Sequence, residues 1–263
     1  MSHAPRPVLV TIPISHYCEK ARWALDRAGV DYEERRHLPA LHRVAVRRAG
    51  GGLTAPVLVC ELGVLADSTD IIIYADRRAP AAARMLPEDA ATAAEARALA
   101  DDFDERLGPA TRLWVYHQLS GHAELASGAM TDGVPGWQRH AFRYGSRALA
   151  AVIARVLTIT PATAVEAEAT FRAVWAEVDA RLAGGRRYLV GDTFTIADLT
   201  FAALAAPLTA PAEYGVRLPA VEELPPAMAA VVREHRETPA GRHALAMFRE
   251  ERVPAPADAA AAG

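Results

Sequence analysis

The chain has 263 residues, 51% of them apolar and 23% charged, with a formal net charge of −3. That length supplies one large domain or two ordinary ones, and that balance is globular rather than disordered. A slightly acidic chain lacks the basic face that phosphate binding needs, which excludes nucleic acid as the main partner.

The sequence opens MSHAPRPVLV, with no basic segment ahead of an apolar core, so no secretion signal is read. Val8-Leu9-Val10-Thr11-Ile12 is a short β-branched run ended by Pro13, the pattern of a buried strand. Cys18, Ala21, Leu25 and Ala28 then follow at helical spacing, and Gly29 stops that helix. Residues 30–38 read as a second, more exposed strand, and 41–49 as a short arginine-rich helix. Pro56 to Cys60, a turn at Glu61-Leu62-Gly63, and Val64 to Ala66 read as a hairpin. Asp67-Ser68 opens a helix holding Ile71, Ile72 and Tyr74, which finishes before Pro80.

The order is β-α-β-α-β-β-α. Beyond a linker at 79–88, strand signals almost vanish, and alanine-rich helical stretches follow. Breaks are expected near Gly108-Pro109, 127–136, Pro161, 183–187 and Pro219 to Pro226. The chain divides into an α/β unit over 1–80, an all-helical unit over 88–250 and a low-complexity, disordered tail over 251–263. Arg155, Pro207 and Pro211 interrupt the longest apolar runs, so no membrane span is expected.

Residues with chemistry in them are sparse. Two cysteines, Cys18 and Cys60, make no disulfide framework, and a cytoplasmic setting follows. The single lysine, Lys20, amid many arginines and alanines points to a GC-rich bacterial genome. There is no His-Glu-x-x-His, no Cys-x-x-Cys and no phosphate-binding glycine loop, so no metal is expected and Gly50 to Gly52 reads as a turn.

Several residues carry two readings. Ser15, between the first strand and first helix, is either a plain N-cap or a hydroxyl that stabilises a thiolate beside the helix dipole. Cys18 reads as a small core residue, and Tyr17 and His16 as packing or surface groups. In Thr54-Ala55-Pro56 the proline starts a strand; a cis bond there would turn the Ala55 backbone toward an extended ligand. Asp67-Ser68 is an N-cap or a site for a ligand's ammonium and carboxylate. Arg35, Arg36, Arg43, Arg47 and Arg48 form a basic stretch, a solvated face or a second carboxylate site. Thr195 and Asp198 form a capping box with a Phe194–Leu199 staple, a structural feature that starts a buried helix.

Together these pieces resemble the cytosolic glutathione S-transferase family, in its bacterial, serine-type form. Ser15 to Arg22 resembles the family's activating loop and first helix, Ala55 to Leu58 its cis-proline turn, Asp67-Ser68 its γ-glutamyl site, and Thr195 to Asp198 its capping box. The resemblance runs from residue 8 to about 210. It implies a thioredoxin-like α/β N-terminal domain followed by an all-α C-terminal domain, glutathione as co-substrate, and a cytoplasmic homodimer.

By the same resemblance Ser15 would hold the thiolate, Ala55 beside cis Pro56 would pair with the cysteinyl part, and Asp67 and Ser68 would bind the γ-glutamyl end. The family's lysine ahead of the proline turn is missing, which leaves His42, Arg43 or Arg47 for the glycine carboxylate. Asp67 stands where Glu or Gln is commoner. A serine in place of the redox members' first cysteine disfavours thiol–disulfide transfer. Residues 108–160, with Trp114, Tyr116, His117, Trp137, Phe142 and Tyr144, would cover the site of an apolar electrophile, and Tyr17, Trp114 and His117 are its candidate residues. The implied function is a glutathione transferase. A non-catalytic scaffold of the same fold, or a glutathione-dependent isomerase or dehalogenase, is the alternative.

Overall fold

The computed structural model describes residues 5–122 and 124–252. The chain begins with strand β1 (Val8–Thr11), helix α1 (His16–Arg27), strand β2 (Glu33–Arg36) and helix α2 (His42–Arg48). It continues through β3 (Val57–Cys60), β4 (Gly63–Leu65) and α3 (Ser68–Asp76), the order expected from the sequence. The sheet runs β2-β1-β3-β4; β1 pairs parallel with β2, opposite Glu33 to Arg36, and antiparallel with β3. The antiparallel β3–β4 hairpin turns at Gly63, whose φ of +104° suits a residue without Cβ.

The second part is helical: α4 (Ala90–Asp102), α5 (Gly108–Gln118), α6 (Ser127–Thr131), α7 (Gly136–Val156), α8 (Pro161–Leu182), α9 (Ile196–Thr209), α10 (Pro226–Arg236) and α11 (Pro239–Glu251). The small mixed sheet with its helices, followed by a helical domain, is the fold the sequence implied. Thr195 caps α9 as expected: its hydroxyl accepts from the Ala197 amide, while Asp198 takes both the Thr195 amide and hydroxyl at 2.9 Å. In α9 every residue except Pro207 is buried, so it forms the axis of the helical domain.

Two expectations need correction. Gly108-Pro109 does not break the chain; a π-helical turn over Phe103–Leu107 carries α4 straight into α5. Pro109 has no N–H to give to the π turn before it, and the Asp104 carbonyl five residues earlier accepts from the Tyr17 hydroxyl instead, at 2.8 Å. The tail does not begin at 251 either. Glu251 closes α11 and the Arg252 side chain is tucked in beside α1, bonded to Glu19 and Asp26 at 2.8 Å; residues 253–263 lie outside the described ones.

One continuous core joins both domains, from Leu9, Trp23 and Ile71 to Phe171, Leu199 and Phe248. Its centre is α1, which packs on α3 on one side and α9 on the other, and which buries every residue except Tyr17 and Arg27. Four charged side chains are buried with it. Lys20 meets both Asp104 carboxylate oxygens at 2.6 Å, and Asp104 also accepts from the Thr69 hydroxyl at 3.2 Å. Arg22 bonds Glu19, Glu34 and the Pro13 carbonyl, and Asp26 takes Arg252 and the Tyr32 hydroxyl. Burial pushes the Lys20 pKa down and the Asp104 pKa up, and each is offset chiefly by the other's charge.

Among the described residues no single helix is long and apolar enough to cross a membrane; α7 and α8 pass that test only as a pair bent by 68°.

Because Asp104 lies on the π turn of the helical domain, its pair with Lys20 ties the two domains across a desolvated contact. Lys20→Met is expected to cost about 3–5 kcal/mol by stranding the Asp104 carboxylate. The double variant Lys20→Met, Asp104→Leu should recover most of that loss in chemical denaturation. Equal loss in the single and double variants would show that the pair is not what ties the domains.

Candidate functional site

The loop from β1 to α1 is held at consecutive backbone positions. The Ile12 amide donates to the Cys18 sulfur at 3.4 Å, and the Pro13 carbonyl accepts from Arg22 at 2.7 Å. The Ile14 carbonyl accepts from the Tyr214 hydroxyl at 3.0 Å, and the Ser15 amide donates to the Ile12 carbonyl at 3.1 Å. The loop therefore delivers Ser15 at a set place, as the N-cap of α1. Its Oγ accepts weakly from the Cys18 amide at 3.4 Å, and the hydroxyl hydrogen is left to donate elsewhere.

Ser15 opens onto a cavity of about 370 Å³ between the two domains. The sheet domain contributes Ile12, Ser15, His16, Tyr17, His42, Arg43 and the stretch Leu53-Thr54-Ala55. The helical domain contributes one face of α5, the last turns of α7 at Val152, Ile153, Val156 and Leu157, the Pro207 turn of α9, and Met228 of α10. The wall is mainly apolar, with a few polar groups near Ser15, the make-up of a small-molecule site.

The other groups beside Ser15 are engaged or neutral. Cys18 is fully buried and burial pushes its thiol pKa up, so it is a core residue and no nucleophile. Tyr17 donates its hydroxyl to the Asp104 carbonyl at 2.8 Å, and burial raises its pKa, so it stays protonated and committed to that bond. Gly108 lies against it: a Cβ there would collide with the Tyr17 hydroxyl, which is why the close approach of α1 and α5 needs glycine. His16 is buried and its pKa falls to about 3, first through desolvation and next through the charge of Arg112. It is a neutral imidazole with Nε2 unpartnered.

His42 bonds the Leu53 carbonyl through Nε2 at 3.1 Å, holding the loop ahead of Ala55. Its Nδ1 and the Nε of Arg43 are buried without partners in the cavity wall. Arg47 and Arg48 are exposed and stand off the cavity, while Arg35 and Arg36 pair with Glu33, Glu34 and Asp132. The Ala55–Pro56 bond is cis, and Ala55 lines the cavity while Pro56 is buried behind it. Asp67 caps α3 by accepting from the Thr69 amide at 2.7 Å, and Ser68 is buried beside it. They sit on the Asp104 side of the site, outside the apolar wall, where the Asp67 charge acts on Tyr17 and Lys20.

Trp114 and His117 do not line the cavity. Trp114 is buried edge-on against Phe171, with its indole N–H on Glu168 at 3.2 Å, in the contact between α5 and α8. The reason is helical phase. Arg112, Val115, Tyr116 and Leu119, at i, i+3, i+4 and i+7, face the cavity, so 114 and 117 point away from it. The same period was available in the sequence and would have selected Arg112 and Tyr116; the choice of aromatics by type alone missed it. Tyr144 and Trp137 are exposed, and Phe142 packs on Leu38 and Val134. Among the described residues no group of His, Cys, Asp and Glu could hold a metal ion.

Comparison with known proteins bears on the same two domains. A family model described as the N-terminal domain of glutathione S-transferase matches residues 9–83, and one described as its C-terminal domain matches residues 146–234. No curated protein matches the chain. Among solved structures, glutathione transferase GSTFuA3 from Phanerochaete chrysosporium is 16% identical with a TM-score of 0.59, over 96% of this chain and 100% of its own. The β-etherase LigF from Sphingobium sp. strain SYK-6 is 17% identical with a TM-score of 0.55, over 91% and 98%. A glutathione S-transferase from Methylobacillus flagellatus KT with glutathione bound is 17% identical with a TM-score of 0.51, over 90% and 98%. At these identities the likeness is one of fold.

The His16 ring carries a pH consequence. Its folded pKa of about 3 lies below the 6.5 of an open chain, so the unfolded state takes the proton first as pH falls. The stability His16 contributes is complete above about pH 6.5 and drains away toward pH 3, with about 2 kcal/mol gone by pH 5. His16→Phe is expected to flatten the fall in unfolding free energy between pH 7 and 5 by that amount. Identical pH slopes for the two proteins would show that His16 is not held neutral.

Proposed function

The chain belongs to the glutathione S-transferase family, and from that premise we propose that it binds glutathione, holds its sulfur as a thiolate at Ser15, and passes it to an apolar electrophile in the adjoining cavity. The observation that carries this reading is the isolation of Ser15. It stands at the N-terminus of α1 on the cavity wall, while Tyr17 is spent on Asp104 and Cys18 is sealed in the core.

The chemistry asked of the protein is small. A helix N-terminus and one hydroxyl donor favour the anionic form of a thiol whose ordinary pKa is about 8.5. The thiol proton leaves to solvent, the sulfur lone pair forms the new S–C bond, and the leaving group departs with its bonding electrons. Catalysis is then pKa lowering and positioning, with no covalent enzyme intermediate.

The rest of glutathione would be held by groups around the same cavity. Ala55 offers its backbone from the cavity wall for the cysteinyl part. Asp67 and Ser68 would take the γ-glutamyl end. The unpartnered His42 Nδ1 and Arg43 Nε suit the glycine carboxylate. The electrophile would lie against Val115, Tyr116, Leu119 and the last turns of α7.

Two measurements test this. Glutathione at 100 times its Kd should raise the stability of the native protein by about 2.7 kcal/mol, read as a higher thermal midpoint. No rise at millimolar glutathione would favour a scaffold of the same fold. Ser15→Ala should keep that rise yet lose about 10- to 100-fold in kcat/KM toward an activated aryl halide, the worth of one hydrogen bond to a charged sulfur. Unchanged turnover in Ser15→Ala would sink the role of this hydroxyl.

A further inference from the structure

Two arginines in the cavity wall, Arg43 on α2 and Arg112 on α5, have no anionic partner among the described residues. Neither makes a hydrogen bond or ion pair with any described residue, and the Nε of each is buried. Arg43 stands beside the Leu53 to Ala55 stretch, where the thiol's own carboxylate would lie. Arg112 comes from the helical domain and reaches the His16–Tyr17 end of the cavity. Its guanidinium carbon is 5.8 Å from the Tyr17 ring centroid, and its charge is felt at His16, Tyr17 and Tyr116.

Around Arg112 the wall is apolar or neutral. Val115, Leu119 and Met228 carry no polar atom, His16 is an uncharged ring, and Tyr17 is committed to Asp104. No carboxylate of a described residue comes within ion-pair distance of Arg112, although Arg106, two turns earlier, pairs with both Asp102 and Glu177. A partly buried guanidinium left without an anion is costly to the free protein; the Tyr17 ring offsets part of that cost, and an entering anion would offset more. Arg is also the side chain whose planar fork matches a carboxylate.

We propose that Arg112 is the specificity residue of the electrophile site, and that the second substrate is an aryl carboxylate whose ring lies on the apolar wall while its carboxylate pairs with Arg112. The proposal rests on the thiol sulfur lying at Ser15 and names the class of molecule that meets it there from the helical-domain wall. Each guanidinium then receives one anion: Arg43 that of the thiol, Arg112 that of the electrophile.

The test is calorimetric and needs no turnover. 4-Chloro-3-nitrobenzoate and its methyl ester share ring, halide and nitro group and differ in charge. Without thiol, the acid should bind the native protein at least about tenfold more tightly than the ester. Arg112→Leu should abolish that preference, and Arg112→Lys, which keeps the charge and loses the fork, should keep only part of it. Arg112→Leu should also unfold at no lower temperature than the native protein, since it removes an unpaired charge. S-methylglutathione should leave acid binding intact.

Equal binding of acid and ester, or a preference that survives Arg112→Leu, would overturn the proposal. Displacement of the acid by S-methylglutathione would overturn it too, by assigning Arg112 to the thiol. Because the acid–ester comparison uses no thiol, a protein that fails to bind glutathione shows that failure in the thermal midpoint alone.

Discussion

Everything in this molecule depends on helix α1 being buried on both sides while carrying Glu19, Lys20, Arg22 and Asp26. An apolar helix could be covered by any apolar surface. A helix with four buried charges can be covered only by surfaces that bring the matching ions, because an unpaired buried charge costs more than packing returns. The partners come from both domains: Glu34 from β2, Asp104 from the π turn, Arg252 from the end of α11. The charge pattern of one helix thereby dictates how the helical domain sits on the sheet domain.

The same ties build the site. Arg22 reaches past Glu19 to the Pro13 carbonyl, and Tyr214 reaches from the helical domain to the Ile14 carbonyl. The backbone of the residue that follows, Ser15, has little freedom left, which is what the proposed role of its hydroxyl would require. The π turn serves both ends: its Asp104 carboxylate holds Lys20, and its Asp104 carbonyl removes the Tyr17 hydroxyl from competition with Ser15. Gly108 lets the two helices close to the distance at which both bonds form. The cavity is what remains where the domains meet without closing; the sheet domain supplies one of its two arginines without an ion-pair partner among the described residues, and the helical domain the other.

Much of the fold could be read directly. Strand and helix periods in the first eighty residues, the Asp67 cap, the Thr195–Asp198 box and Gly29 after α1 are signals within a few residues of one another, and local geometry honours them. The reading failed where a local rule met a tertiary exception. Gly108-Pro109 is a breaker by composition, but a π turn carries the helix through it and the Tyr17 hydroxyl donates to the Asp104 carbonyl, as the proline cannot. Glu251-Arg252 begins a low-complexity tail by composition, but a buried carboxylate pair on α1 holds Arg252 in place. Trp114 is the conspicuous aromatic of its segment, yet it faces α8 because the phase of α5 turns the 112, 115, 116, 119 row inward.

By itself, then, the sequence determined the order of elements, the caps that start α3 and α9, and the place of Ser15 at the head of α1. Each of these is set by side chains acting on backbone within one or two turns. Only the tertiary structure decided which of Ser15, His16, Tyr17 and Cys18 is left free to act, because that depends on Asp104, Arg112 and Tyr214, roughly 90 to 200 positions further along the chain. Burial and pairing are properties of what surrounds a group, and no local pattern in the Ser15 to Cys18 stretch records what will come to lie beside it.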